Sequence, residues 1–235
     1  MILLSDGDIV RDDSLLLYFD PAIAGSQFNG NGCFDLSGEG HHGISADGSP
    51  ATSTDFGGTL VMDGLNDQVK FDHTTVSNTN GSWSVSAFVK YTSLTNQNSQ
   101  STQQYITFGP FNDGAGLSVG KRNGKHCCWG GGGVIMVISS SSPVVGVWYN
   151  VAYTFDGTTH KIYVDGVLTG TGTVTANATV DTKVVLSGWR TPTSDMSSYK
   201  ENFYGQHGPF MVYNKTLTPQ EVEQNFNVFR GRYGI

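Results

Sequence analysis

The chain has 235 residues, 31 of them glycine, with 14% charged residues and a net charge of −7. That length fits one large β-sandwich, which runs to about 200–250 residues as a single domain, and the glycine content fits many short strands joined by turns. The negative charge argues against a nucleic acid or an anionic membrane surface as the partner, since both require a basic face, and Lys121-Arg122 and Arg230-Gly231-Arg232 are too small to reverse the sign.

Residues 1–14 read as an N-terminal arm ahead of one domain spanning 15–235. The arm carries Asp6, Asp8, Arg11, Asp12 and Asp13, and its Ile2, Leu3 and Leu4 are candidates for burial against a partner. A solvated tail is the competing reading, because chain ends are commonly poorly ordered. The apolar start is too short for a signal peptide and lacks a basic flank, so synthesis in a cytoplasm is expected. No apolar run approaches the ~20 residues needed to span a bilayer, the longest being Val134 to Ile138, so no membrane insertion is expected.

Farther along, Trp83, Val85, Ala87, Val89 and Tyr91 alternate on one face of a core strand. Thr92 to Gln104 is a polar tract read as an exposed loop before Tyr105 to Phe108, and Thr191 to Asn202 is a second loop candidate. The plainest segment is Val147 to Leu168. Val147, Tyr149, Val151, Tyr153 and Phe155 fall on one face at period two, predicting a strand with one buried face. Asp156 to Thr159 supplies a turn, Ile162 to Val164 continues extended, and Asp165-Gly166 suits a tight hairpin because both residues tolerate positive φ. Only one segment reads as helix. Thr218-Pro219-Gln220-Glu221 has a capping box with proline in the first turn, and Val222, Phe226 and Phe229 recur at helical spacing to about Arg230.

The pattern W-x-x-V-A-x-T-F-D-G…I-Y-V-D-G in that hairpin resembles the laminin G-like, concanavalin A-like jelly rolls. Leu15 to Asp20 followed by Phe34 to Gly43 is similar to the opening of that family. Gly58 to Val69 is similar to its G-x-L-x-F-D-G-x-N-D-x-V hairpin, with Met62 replacing the usual Phe. The tail from Gly208 through Tyr213-Asn214 to Asn225-Phe226 and Arg230 to Gly234 resembles a version common in virion proteins of tailed phages. The resemblance spans residues 15–235. It implies an all-β, two-sheet antiparallel jelly-roll sandwich with one short C-terminal helix. It also implies a place on the virion, as a capsid decoration or a tail- or fibre-associated subunit, with other virion proteins, a host-surface glycan and further copies of the chain as partners. A stand-alone lectin is the alternative.

A glycoside hydrolase of the same fold is the second alternative. That chemistry needs two carboxyl groups, ~5–5.5 Å apart for retention or ~6.5–9.5 Å for inversion. In fold relatives they come from alternate residues of one strand, which share a face. The glutamates here are Glu39, Glu201, Glu221 and Glu223; none lies on a strand with a second acid two or four residues away, so no catalytic residue is assigned. Cys33, Cys127 and Cys128 cannot all pair within one chain, which fits a reducing compartment. His126-Cys127-Cys128 offers ligand types for zinc, but adjacent strand residues point to opposite faces and cannot easily close on one ion. His41-His42 reads as part of a turn, and the sequons at Asn80, Asn177 and Asn214 as chance in a Ser/Thr-rich chain.

No cofactor is required on this reading. Calcium is the one candidate, because many relatives of the fold bind it through Asp and Asn oxygens and Asp63, Asn66 and Asp67 crowd one hairpin. The same residues are also ordinary turn formers. A lectin site needs an aromatic face and a few polar groups to fix orientation. Trp129, Trp189 and Arg190 stand at predicted strand ends, with Tyr199 and Tyr204 as further candidates, while core packing is the competing role for each. Trp83 and Trp148 are read as structural.

Overall fold

The computed structural model describes residues 9–26, 32–45, 48–72, 81–108, 117–130, 133–173, 183–188 and 201–235. The hairpin that dominates the sequence forms as its alternation requires. β12 (Trp148–Phe155) pairs in register with β13 (His160–Val164), and Asp156 Oδ1 closes the turn by accepting the backbone N–H of Thr158 at 2.9 Å and of Thr159 at 2.7 Å. Asp165 and Gly166, at φ 52° and 77°, then make the left-handed turn into β14 (Val167–Gly172).

Among the described residues, two eight-stranded antiparallel sheets result. The first runs β14-β13-β12-β7-β16-β5-β4, where β7 is Trp83–Tyr91, β16 is Tyr204–Tyr213, β5 is Thr59–Asp63 and β4 is Ala51–Ser53. β1 (Leu15–Phe19) pairs with the far half of β16, beyond a bulge that contains Gly208-Pro209. The second sheet runs β11-β10-β9-β8-β15-β6-β3-β2. Its strands are β11 (Val134–Ile138), β10 (Lys125–Gly130), β9 (Leu117–Arg122), β8 (Gln103–Phe108), β15 (Lys183–Leu186), β6 (Val69–Asp72), β3 (Gly43–Ser45) and β2 (Gly32–Cys33).

The inner faces meet in one apolar core. Trp83, Val85, Val89, Val151, Tyr153 and Ile162 of the first sheet pack with Phe108, Val119, Cys128, Val184 and Leu186 of the second. Trp83 spans the gap, with its ring 4.7 Å from Tyr153 and 5.1 Å from Phe108. Met62 is fully buried. At one side the edge strands of the two sheets close on each other: Ser140 N–H donates to Thr169 O at 2.9 Å, and the carbonyls of Ile138 and Met136 lie directly against Gly170 and Gly172.

Four expectations change. β12 has two buried faces, because Asn150, Ala152 and Thr154 are covered as completely as Val151 and Tyr153. Their cover is a second apolar cluster built around α1 (Pro219–Tyr233), whose Val222, Phe226, Phe229 and Tyr233 pack over Phe88, Tyr163 and Met211. The capping box forms as predicted, but the helix runs on to Tyr233 because the apolar stripe continues and Gly234 caps it at φ 70°. Residues 9–14, expected in the arm, are built onto the sandwich. Ile9 and Val10 are buried in the same cluster, Val10 N–H donates to Asn225 Oδ1 at 2.8 Å, and Val10 O accepts from Tyr213 Oη at 3.0 Å. Ile2, Leu3 and Leu4 lie outside the described residues. Finally, the polar tract before Tyr105 is not all exposed loop: Gln103 and Gln104 begin β8, and both are buried with Asn96.

Candidate functional site

The turn after β5 is closed by its own carboxylates. Asp63 Oδ1 accepts the backbone N–H of Leu65, Asn66 and Asp67 at 2.7, 3.1 and 3.3 Å, and Asp67 Oδ2 accepts the backbone N–H of Asp63 at 2.9 Å. The turn-forming role of Asp63, Asn66 and Asp67 is therefore realised, and among the described residues no three His, Cys, Asp or Glu side chains gather to hold a metal. Side-chain amides then stitch this turn to its neighbours. Asn202 Nδ2 donates to Leu65 O, and Asn202 Oδ1 accepts from Gln68 Nε2 at 3.3 Å. Asn96 Nδ2 donates to Asn202 O at 3.0 Å, and Gln97 Nε2 donates to Asp63 O at 2.7 Å. An amide both donates and accepts, so side-chain amides join three chain segments here.

This lattice continues onto the outer face of the second sheet. Gln104 Nε2 donates to Glu201 Oε2 at 2.7 Å, Gln104 N–H donates to Glu201 O at 2.9 Å, and Gln104 Oε1 accepts from Thr107 Oγ1 at 3.1 Å. Burial pushes the Glu201 carboxyl up, while the Arg122 guanidinium and the Gln104 hydrogen bond pull the other way. Arg122 in turn lies over Trp129, its guanidinium carbon 5.7 Å from the ring centroid, and Trp129 reaches across Gly120, where a Cβ would stand 2.9 Å from the indole. One face thus holds a half-buried carboxylate and guanidinium over a buried amide and indole. Those are the donor, acceptor and wall types by which a polyhydroxylated ligand is oriented.

Of the residues singled out from sequence, Trp129 belongs to this face. It is only 4% exposed, and Arg122 occupies its ring. Tyr204 is half-buried in β16, packed against Gly64, with its N–H donating to Gln103 Oε1 at 2.9 Å, so it anchors the turn. Trp189, Arg190 and Tyr199 lie outside the described residues. Gln104, Arg122, Glu201 and Asn202 escaped the sequence reading. Arg122 was legible only as half of a basic pair, whereas strand alternation separates that pair and sends Lys121 inward and Arg122 outward.

The same alternation divides His126-Cys127-Cys128. His126 and Cys128 face the core, where Tyr105 Oη lies 2.6 Å from His126 Nδ1; Cys127 faces the other way, with its Sγ against Arg122 O. Burial pushes the Cys127 thiol up to about 12 and holds His126 down at about 3, the latter aided by the charge of Lys121. Buried His207 is likewise pushed down to about 3. His42 Nδ1 accepts the Asp35 N–H at 3.2 Å, the turn role expected of that pair.

Comparison with known proteins places this architecture. No curated protein matches the chain. Domain 4 of AbnA, a GH43 extracellular arabinanase from Geobacillus stearothermophilus solved in complex with arabinotriose, superposes with a TM-score of 0.69 at 19% identity, over 92% of this chain and 98% of that one. The binding domain of botulinum neurotoxin serotype C1 gives 0.65 at 15% identity, over 92% of this chain and 52% of that one. Trypanosoma rangeli sialidase, in complex with the inhibitor DANA, gives 0.62 at 17% identity, over 90% of this chain and 32% of that one. The chain thus spans about half of the toxin domain and a third of the sialidase. Residues 63–223 match a family described as the concanavalin A-like lectin/glucanases superfamily, and the chain belongs to that family.

Proposed function

We propose that the chain is a non-enzymatic virion structural protein of a phage, exposed on the capsid or tail, whose sandwich binds a host-surface glycan. The observation that carries the glycan reading is the constellation of Gln104, Glu201, Arg122 and Trp129 on one outer face. Glu201 supports a binding rather than a hydrolytic role, because the groups acting on it are Gln104 and Arg122 and not a second carboxylate. The arabinotriose complex of the AbnA domain supports sugar binding by this fold, and the phage-like C-terminal pattern supports the virion. No cofactor is required, since the Asp63 and Asp67 oxygens already close their turn on backbone N–H groups.

Screening the full chain on a glycan array tests the binding half. A hit that Arg122→Gln weakens by roughly tenfold or more, the scale of one charge-assisted hydrogen bond, is expected. A hit indifferent to that change places the sugar elsewhere. Mass spectrometry of purified virions tests the other half: stoichiometric copies are expected, and absence from the particle leaves a free lectin.

A further inference from the structure

The outer face of the first sheet carries an exposed ring that the cluster under α1 does not absorb. Phe56 is 38% exposed and sits at φ 55°, ψ 28°, left-handed backbone that a residue with a Cβ rarely adopts. The turn is pinned by Gly58, whose Cα faces the carbonyl of Pro21 so closely that no Cβ fits. Strained backbone of this kind collects at ligand sites, where surrounding structure holds it in place.

What the turn achieves is a small aromatic enclosure. The Phe56 ring meets Trp148 edge-on at 5.5 Å and lies 5.7 Å from Tyr233, which itself packs on Trp148 at 4.2 Å. Lys90, the cross-strand partner of Trp148, extends over both rings, its Nζ 5.0 Å from the Phe56 centroid and 5.3 Å from that of Trp148. Lys215 and Arg232 are committed to carboxylates, but Lys90 has no ion-pair partner among the described residues. In a chain of net charge −7 it is a cation that, among the described residues, is oriented by π-faces.

We propose that Phe56 and Lys90 form a second saccharide site, selective for a sugar unit bearing an anionic group such as a uronate carboxylate or a sulfate ester. The apolar C–H face of the ring stacks on Phe56, and the Lys90 ammonium meets the anion. Trp148 and Tyr233 form the floor that keeps both in place. This site is on the opposite sheet from the Gln104–Glu201–Arg122 face and is independent of it. An alkylammonium ligand is the competing chemistry, but it would have to expel Lys90 and take its position.

Calorimetric titration of the full chain at low salt, with tetragalacturonate, its methyl ester and inorganic sulfate as separate arms, decides between these. Tetragalacturonate is expected to bind, the ester and sulfate roughly tenfold or more weakly, and Lys90→Met and Phe56→Leu each to remove roughly tenfold, with thermal midpoints near the parent's. Arg122→Gln is expected to leave this binding unchanged. Equal binding of acid and ester, sulfate as tight as the oligosaccharide, or undiminished binding by Lys90→Met would each overturn the proposal. So would choline that binds, and binds better to Lys90→Met.

Discussion

The two sheets finish their outer faces in opposite ways. The first is sealed by α1 and the N-terminal Ile9 and Val10, so that Phe88, Tyr163 and Met211 lie in an apolar cluster with no sugar-like chemistry. The second is finished with polar side chains, Gln104, Thr107 and Ser118, each buried and the first two tied to neighbours by hydrogen bonds. Hydrophobic area holds the first face together, and directional bonds hold the second. The difference teaches how recognition can be built: a hydrogen-bonded face already positions donors and acceptors, whereas the helix-covered part of an apolar face adds stability and leaves only its rim, where Phe56 and Lys90 stand over Trp148 and Tyr233, open to a ligand.

That contrast predicts unequal responses to similar insults. Phe229→Ala empties the space beside Phe88, which its ring meets at 5.4 Å, and should cost about 3–5 kcal/mol in denaturant unfolding. A loss under 1 kcal/mol would mean that the helix is an accessory and not a seal. Acid should act on the shared interior next. His126 and His207 titrate near 6.5 when unfolded but are held at about 3 in the fold, so both stay neutral. Their stabilisation is whole above pH 6.5 and is lost as pH falls towards 3, because only the unfolded chain takes up the protons. Each should cost about 2 kcal/mol by pH 5, and replacing His207 with Gln should flatten the profile between pH 6.5 and 5. The smallest effect belongs to the polar face. Thr107→Val removes the single hydroxyl proton for which Gln104 Oε1 at 3.1 Å and Gly188 O at 3.0 Å are the two acceptors, for about 1 kcal/mol, while lowering glycan affinity more than Phe229→Ala does.

Much of this fold is written locally. The hairpin from Trp148 to Val164 follows from period-two alternation, its turn into β14 from Asp165-Gly166, and the start of α1 from Thr218 and Glu221, which bond each other's backbone N–H at 3.2 and 2.8 Å. These signals span a few residues and need no tertiary partner. The second buried face of β12 was not legible, because Asn150 and Thr154 are ordinary surface residues until a helix some 70 positions later covers them. The site was harder still. Gln104 and Glu201 are 97 residues apart in sequence, and their pairing depends on how the strands are ordered, which no local pattern encodes. Trp129 was found by residue type, but the guanidinium lying on it was not.

The closed seam between β11 and β14 has a consequence for crowding. An open sheet edge invites another chain to add a strand, and the hazard grows with local concentration. Here the carbonyls of Met136 and Ile138 are turned against Gly172 and Gly170, which only residues without a side chain could permit, and the opposite ends of the sheets are, among the described residues, strands of three and two residues, β4 and β2. A molecule finished in this way can be packed at high copy number without polymerising through its edges.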